Sequence, residues 1–314
     1  MINQSYHQNG DSENEMAQNV KLHQLQSFVE VARHGSIRAA SRQLNLSQPA
    51  LTKSIQELEA CLGARLFLRH RQGMALTDCG EAYFRHASLI MEELRVARED
   101  IQQRLGQASG RVNIGVGASI AHTVMPEVVN RFHRLYPQVK LRITEGQLVA
   151  MIHELRQGEL DFTVNTYSGS SYDNELLYEK LMEKEYCVVV RRDHPIQRAH
   201  SLEDLLDYEW TMPTPRGSYY KQLFDLFATL PVTPRVSVTC ETLMSSVSLV
   251  AKTDFVSILS RDVIRDPILG ERLRVLELDQ PLPKATFYLI QRKDTMLSPM
   301  GAQLARLFRQ YCHE

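Results

Sequence analysis

The stretch "GSIRAASRQLNLSQPALTKSIQELEACLGARLF", Gly35 to Phe67, sets the tightest limit on what this chain can fold into. Two short amphipathic helical patterns in it are separated by only Asn45-Leu46-Ser47. Ser36 can cap the first, IRAASRQL, in which the small pair Ala39-Ala40 lets a neighbouring helix approach closely. Ser47 can cap the second, with Pro49 in the first turn, where its missing N–H costs nothing. The apolar face of that second helix is Ala50, Leu51, Ile55, Leu58 and Leu62. So short a break folds one helix across the other, giving a helix-turn-helix.

The flanking residues extend this unit. Leu22, Leu25, Phe28, Val29 and Ala32 recur at helical spacing until Gly35 stops the run, so a helix precedes the pair. After it, "ARLFLRHRQGMALT" alternates two strand-like pieces around Arg71-Gln72-Gly73, which reads as a wing. Thr77 then caps a long helix, about Asp78 to Leu105, striped by Ala82, Ala87, Leu89, Ile90, Leu94, Ala97 and Ile101; with no packed domain of its own, such a helix wants a partner. Residues 1 to about 19 read as disordered, with Met16 an alternative start.

GQASG, Gly106 to Gly110, breaks the pattern, and the chain then changes character. Strands (VNIGVG, VKLRIT, LDFTVN) alternate with helices (from Ile120 to Tyr136, then LVAMIHELRQG), which implies a parallel sheet in an α/β domain. The alternation resumes with LYEKLMEKEYCVVVRR and closes with strand TFYLIQ and a helix from about Pro299 to Cys312.

Composition excludes several classes. Charged residues at 23% and hydrophobic ones at 43% suit a globular protein, and 314 residues suffice for two or three domains. No apolar run reaches the length of a membrane span, and the polar start lacks the regions of a signal peptide. The net charge of −1 is uninformative, but Lys21 to Gly73 carries eight Lys/Arg against three acids, the footprint of a segment that approaches phosphates. Five scattered cysteines, without a C-x-x-C pair, read as buried thiols in a reducing cytoplasm. His122, His133 and His153 have no partner at metal-ligand spacing. No nucleophile motif, P-loop or H-E-x-x-H is present, so catalytic residues, a metal and a cofactor are all expected to be absent.

From Phe28 to Ala87 the chain resembles the N-terminal signature of LysR-type transcriptional regulators. The small pair in "SIRAA", the recognition stretch "LNLSQPALT" and the wing "LFLRHRQGMALT" stand in the family's order and spacing. A looser likeness continues through "EGQ", "LRQGELD" and His194-Pro195. Through "MPTPRGSYYKQL" and "RQGELDFTVNTY" the chain is also similar to members that govern use of p-aminobenzoyl-glutamate. The resemblance implies a multidomain α+β and α/β protein: a winged helix-turn-helix (20–77), a dimerising linker helix (78–106), a hinge (107–110) and a two-lobed α/β effector domain (111–314) like periplasmic binding proteins. Lobe I is expected at about 111–165 and 270–314, lobe II at about 166–269. Members act in the bacterial cytoplasm as homotetramers built from homodimers, on promoter DNA, with a small-molecule effector and RNA polymerase as further partners.

Within this frame the candidate residues carry definite chemistry. Gln48, Thr52 and Lys53 share the exposed face of the recognition helix, where Gln can pair with adenine and Lys with guanine, and Pro49 offers a thymine methyl an apolar contact. Ser36, Arg38 and Ser47 suit phosphates, and Arg69 and Arg71 suit a narrow minor groove. For the effector, Gly117 to Ser119 and Pro213 to Tyr219 are strand-to-helix turns that favour an anion. Ser119, Thr166, Thr214 and Ser218, with Arg216 as charge partner, are the candidate ligand-holding residues. At Leu148 family members often carry Ser or Thr, so a partly apolar or aromatic carboxylate is expected there. The bland alternatives are a solvated basic face that docks a protein, and serines that only cap helices. The rival architecture is an α/β enzyme or solute-binding domain fused to a helix-turn-helix docking module, which would need a base and an orienter beside a reactive group.

Overall fold

The computed structural model describes residues 20–70, 73–106, 109–169, 173–215, 217–293 and 295–313. The expected disorder of residues 1–19 and the site residues Arg71 and Arg216 lie outside them. The chain divides into two compact units, one ending at Ala97 and one beginning at Arg98.

The first unit is a three-helix domain with a hairpin: α1 (Leu22–His34), α2 (Ile37–Leu44), α3 (Gln48–Leu62), β1 (Phe67–His70) and β2 (Gly73–Leu76). Both expected caps form, Ser36 Oγ accepting from the Ala39 N–H at 3.4 Å and Ser47 Oγ from the Ala50 N–H at 3.3 Å. Asn45 turns the chain between α2 and α3 in the left-handed region, φ 54°, which an Asn side chain tolerates better than most. The core closes on Phe28, whose ring lies 5.3 Å from those of Phe67 and Tyr83; truncating it to Ala would cost about 3–5 kcal/mol. The wing is tied at two places. The Glu59 carboxylate, buried on α3, accepts from the Leu66 and Phe67 N–H groups at 2.8 and 3.2 Å. At the other end Met74 N–H donates to Gly35 O at 2.8 Å, and a Cβ on Gly73 would stand 2.4 Å from that same oxygen, so only glycine fits.

The long helix α4 (Asp78–Arg104) follows, opened by Thr77 Oγ1 accepting from the Gly80 N–H at 2.9 Å. Its stripe differs from the sequence expectation. Phe84 and Ala87 are buried in the core of the first unit, whereas Ile90, Leu94 and Ile101 remain 44 to 58% exposed. Two apolar faces are thus superposed, one spent at home and one uncovered.

The second unit holds β3 (Gly110–Val116), α5 (Ala118–Thr123), α6 (Met125–Leu135), β4 (Val139–Glu145), α7 (Leu148–Arg156), β5 (Phe162–Thr166), β6 (Leu176–Lys184) and β7 (Tyr186–Arg191). It continues with β8 (Glu209–Met212), α8 (Tyr219–Phe227), β9 (Arg235–Thr239), α9 (Leu243–Val250), β10 (Ser257–Ser260), α10 (Arg261–Arg265), α11 (Pro267–Gly270), β11 (Leu273–Leu276), β12 (Ala285–Arg292) and α12 (Pro299–His313). One sheet runs β4-β3-β5-β12-β6, and a second runs β10-β7-β11, with β8 and β9 paired beside it.

The sheet is parallel only across β4, β3 and β5; β12 is antiparallel to both its neighbours. The reason is the route of the chain, which re-enters this sheet from the other lobe rather than through a helix of its own. The lobe limits shift for the same reason. LYEKLMEKEYCVVVRR looks like one strand but breaks at Glu185, so that β6 completes the first sheet while β7 starts the second. β11, expected in lobe I, pairs with β7 in lobe II. Lobe I is therefore 110–184 with 285–313, and lobe II is 186–276.

Candidate functional site

On the first unit, Ser36, Arg38, Gln48, Pro49, Thr52, Lys53 and Arg69 line one shallow depression between the start of α2, the start of α3 and the wing. Seven of the nine candidates are thus brought together. Ser47 stays at its cap, exposed beside them. Sequence reasoning missed Gln56 and His70, which line the same depression; Gln56 lies one turn beyond Thr52 and Lys53, a spacing that could have found it. Lys53 is 3.8 Å from Glu57 in an exposed pair, which holds it weakly. Arg38 and Arg69 have no ion-pair partner among the described residues, so their guanidinium groups are available to phosphates.

On the second unit a cavity of about 250 Å³ lies between the lobes. Ser119 on α5, Thr166 at the end of β5 and Ser218 at the start of α8 line it, as expected. Ser119 is 6% exposed and Ser218 2%, and neither hydroxyl has a hydrogen-bond partner among the described residues. Neither hydroxyl makes a capping hydrogen bond to its helix. Thr166 Oγ1 accepts from the Tyr219 N–H at 3.2 Å, which ties the C-terminal end of a lobe I strand to a lobe II helix. Thr214 is set back from the wall: its N–H donates to Glu241 at 3.3 Å and its hydroxyl to the same carboxylate.

Leu148 departs from expectation. It is 1% exposed and packs with Met151, Leu155 and Leu160 beneath the sheet. As the first residue of α7 its side chain turns into the lobe I core, and Gln147, one residue earlier, faces the cleft instead.

Several wall residues went unread in the sequence. Ser260, 2% exposed and also without a partner among the described residues, ends β10 where α10 begins. It has the same strand-to-helix signature as Gly117 to Ser119. Asn165 is held by its amide donating to Gly146 O at 2.9 Å. Tyr186 and Tyr220 also line the cavity, and burial holds both phenols above their ordinary range as neutral hydroxyls. The thiols divide: Cys187 and Cys312 are buried as expected, but Cys79 is exposed, and Cys61 and Cys240 are half-buried.

A winged helix-turn-helix whose depression carries Arg38, Lys53 and Arg69, on the same chain as a two-lobed domain with a lined cleft, is the architecture of a DNA-binding protein with a ligand-binding domain. Family comparison specifies it. Residues 22–81 match the bacterial regulatory helix-turn-helix protein of the lysR family, and residues 105–314 match the LysR substrate binding domain. The chain belongs to the LysR family of DNA-binding transcriptional regulators, which are not enzymes. The HTH-type transcriptional regulator TdcA of Escherichia coli K12 is 26% identical over 291 residues, covering 93% of each chain. CbnR, solved full-length with its target DNA, is 20% identical with a TM-score of 0.54, covering 93% of this chain and 99% of that one. The effector-binding domain of QuiR, solved with shikimate, is 20% identical with a TM-score of 0.58, covering 65% and 98%.

Proposed function

We propose that a small organic carboxylate binds between the lobes and thereby sets the affinity of the winged helix-turn-helix for promoter DNA. The observation that carries this reading is the set of three buried, unpartnered hydroxyls, Ser119 from lobe I with Ser218 and Ser260 from lobe II, around one cavity. A buried hydroxyl without a partner costs about 1–3 kcal/mol, and an anion that accepts from all three removes that cost. QuiR, with a similar fold, was solved with shikimate, itself a carboxylate. Because the hydroxyls come from both lobes, the ligand favours one lobe arrangement, and a tenfold preference corresponds to about 1.4 kcal/mol.

The DNA is read by Gln48, Thr52 and Lys53, with Gln56 beside them, and gripped by Ser36, Arg38, Ser47 and the wing. The protein works in the cytoplasm as a homodimer through α4, paired into a tetramer, with RNA polymerase a further partner. Aromatic carboxylates, including those of p-aminobenzoyl-glutamate breakdown, are the effectors to test first.

Calorimetry of the full chain with benzoate, 4-aminobenzoate and p-aminobenzoyl-glutamate, followed by operator binding with and without the ligand, tests this reading. Loss of binding in Ser119→Ala with Ser260→Ala is the expected result. Undiminished affinity in that double variant would put the pocket elsewhere.

A further inference from the structure

The interlobe cleft has two chemically different ends. At its buried end stand the three unpartnered hydroxyls. At its mouth stand the exposed carboxylates of Glu241 and of Glu145, the latter 3.9 Å from His122, and Gln147 Oε1, which is buried and without a partner among the described residues. No Lys, Arg or His side chain lines the cavity among the described residues. Glu241 is held in place from both lobes. Gln147 Nε2 of lobe I donates to it at 2.9 Å, and Thr214 of lobe II donates through its N–H and its hydroxyl.

A ligand with carboxylate groups alone would leave Gln147 Oε1 without a donor and set its charge near the Glu241 carboxylate. Like charges in a partly desolvated site repel, and the serine hydroxyls supply hydrogen bonds but no countercharge. What the mouth can receive is a hydrogen-bond donor or a cation.

We infer that the effector is an amino-substituted carboxylate, with its carboxylate on Ser119, Ser218 and Ser260 and its N–H-bearing nitrogen directed at Glu241 and Gln147 Oε1. This rests on the effector reading above and names the chemistry that reading leaves open. The wall also carries the apolar side chains of Leu243, Leu259, Val263 and Phe287, which suit a hydrocarbon or aromatic spacer between the two polar groups. A nitrogen arriving at Glu241 competes with Gln147 Nε2 for the same carboxylate.

The test uses matched pairs on one skeleton with the full chain: 4-aminobenzoate against benzoate, and L-phenylalanine against 3-phenylpropionate, by calorimetry. The amino member of the pair that binds is expected to be at least tenfold tighter. In Glu241→Gln, which keeps the shape and an acceptor but removes the charge, that preference shrinks severalfold and the desamino member binds more tightly than to the parent protein. Unchanged thermal unfolding of the variant shows that the fold is intact, and Glu145→Gln reports the second carboxylate independently. Equal or tighter binding of the desamino member to the parent protein overturns the inference and leaves the carboxylate reading standing. If neither member of either pair binds, the carboxylate reading itself falls, and this inference with it.

Discussion

Lys184, the last residue of β6 and 5% exposed, places its ammonium 2.9 Å from the carboxylate of Asp262 in the other lobe. The same ammonium donates to Thr123 Oγ1 at 2.7 Å, and Thr123 in turn donates to Ser119 O, also at 2.7 Å. Asp262 sits in α10, whose cap is Ser260. One buried cation therefore fastens together the two short helices that begin beside two of the three unpartnered hydroxyls, at the point where the chain first crosses between lobes.

Lys184→Met keeps the apolar stem and removes the charge. It is expected to lower stability by about 2 kcal/mol in urea denaturation, less than for a fully buried pair because Asp262 is partly exposed. It should also weaken carboxylate binding severalfold, with Lys184→Arg restoring part of it. A stability loss with unchanged ligand affinity would reduce Lys184 to a brace.

Base readout and phosphate grip are separable. Gln48→Ala or Lys53→Ala should cost about 1–3 kcal/mol on the operator and relax the preference at one base pair per half-site, whereas Arg38→Ala should weaken all sequences and flatten the salt slope. Titrations on operator and random duplexes at several salt concentrations distinguish the two. Equal losses on both duplexes for Gln48→Ala would remove it from the base-reading set.

This face was legible in the sequence because its determinants are local. A cap, a three-residue break and a helical period lie within 33 residues and fix both helices without distant partners. The lobes were not, because strand partners are chosen at long range: nothing in EKEYC marks Glu185 as the crossing, and β11 carries no label for its sheet. Leu148 failed for a different reason. A position one residue off along a helix start turns the side chain to another face, so Gln147 took the place expected for it. Ser260 was overlooked although its strand-to-helix turn repeats the one read correctly at Ser119.

The uncovered stripe of α4 calls for a second copy. Leu94 is 44% exposed in the single chain, so Leu94→Glu costs the folded protomer little and its penalty falls on association. Sedimentation should show dissociation at concentrations where the parent protein is dimeric, with operator affinity falling in parallel. A variant that stays dimeric and binds operator tightly would locate the seam elsewhere.

Burial pushes the Cys187 and Cys312 thiols from an ordinary 9.0 up to about 11. A raised thiol stabilises the fold fully below the unfolded value and loses that contribution as pH climbs to the folded one. Denaturation midpoints should therefore fall between about pH 9 and 11, less so in Cys187→Ala. At pH 8, iodoacetamide should modify exposed Cys79 first and reach Cys187 and Cys312 only after unfolding, as read by peptide mass spectrometry. Modification of Cys187 in the native protein at a rate matching Cys79 would contradict its burial.

β12 fills the gap between β5 and β6 in the five-stranded sheet, yet it comes from the last tenth of the chain. During synthesis, lobe II is a single uninterrupted stretch and has all its strands once Leu276 has emerged. Lobe I by then has two unpaired strand edges and no way to join them, and such edges recruit other chains. Ribosome stalling or a nonsense codon between Leu276 and Ala285 thus leaves a polypeptide that has every strand of lobe II and an open sheet in lobe I. Those edges close only when the segment from Ala285 to Arg292 has been made and inserted between β5 and β6.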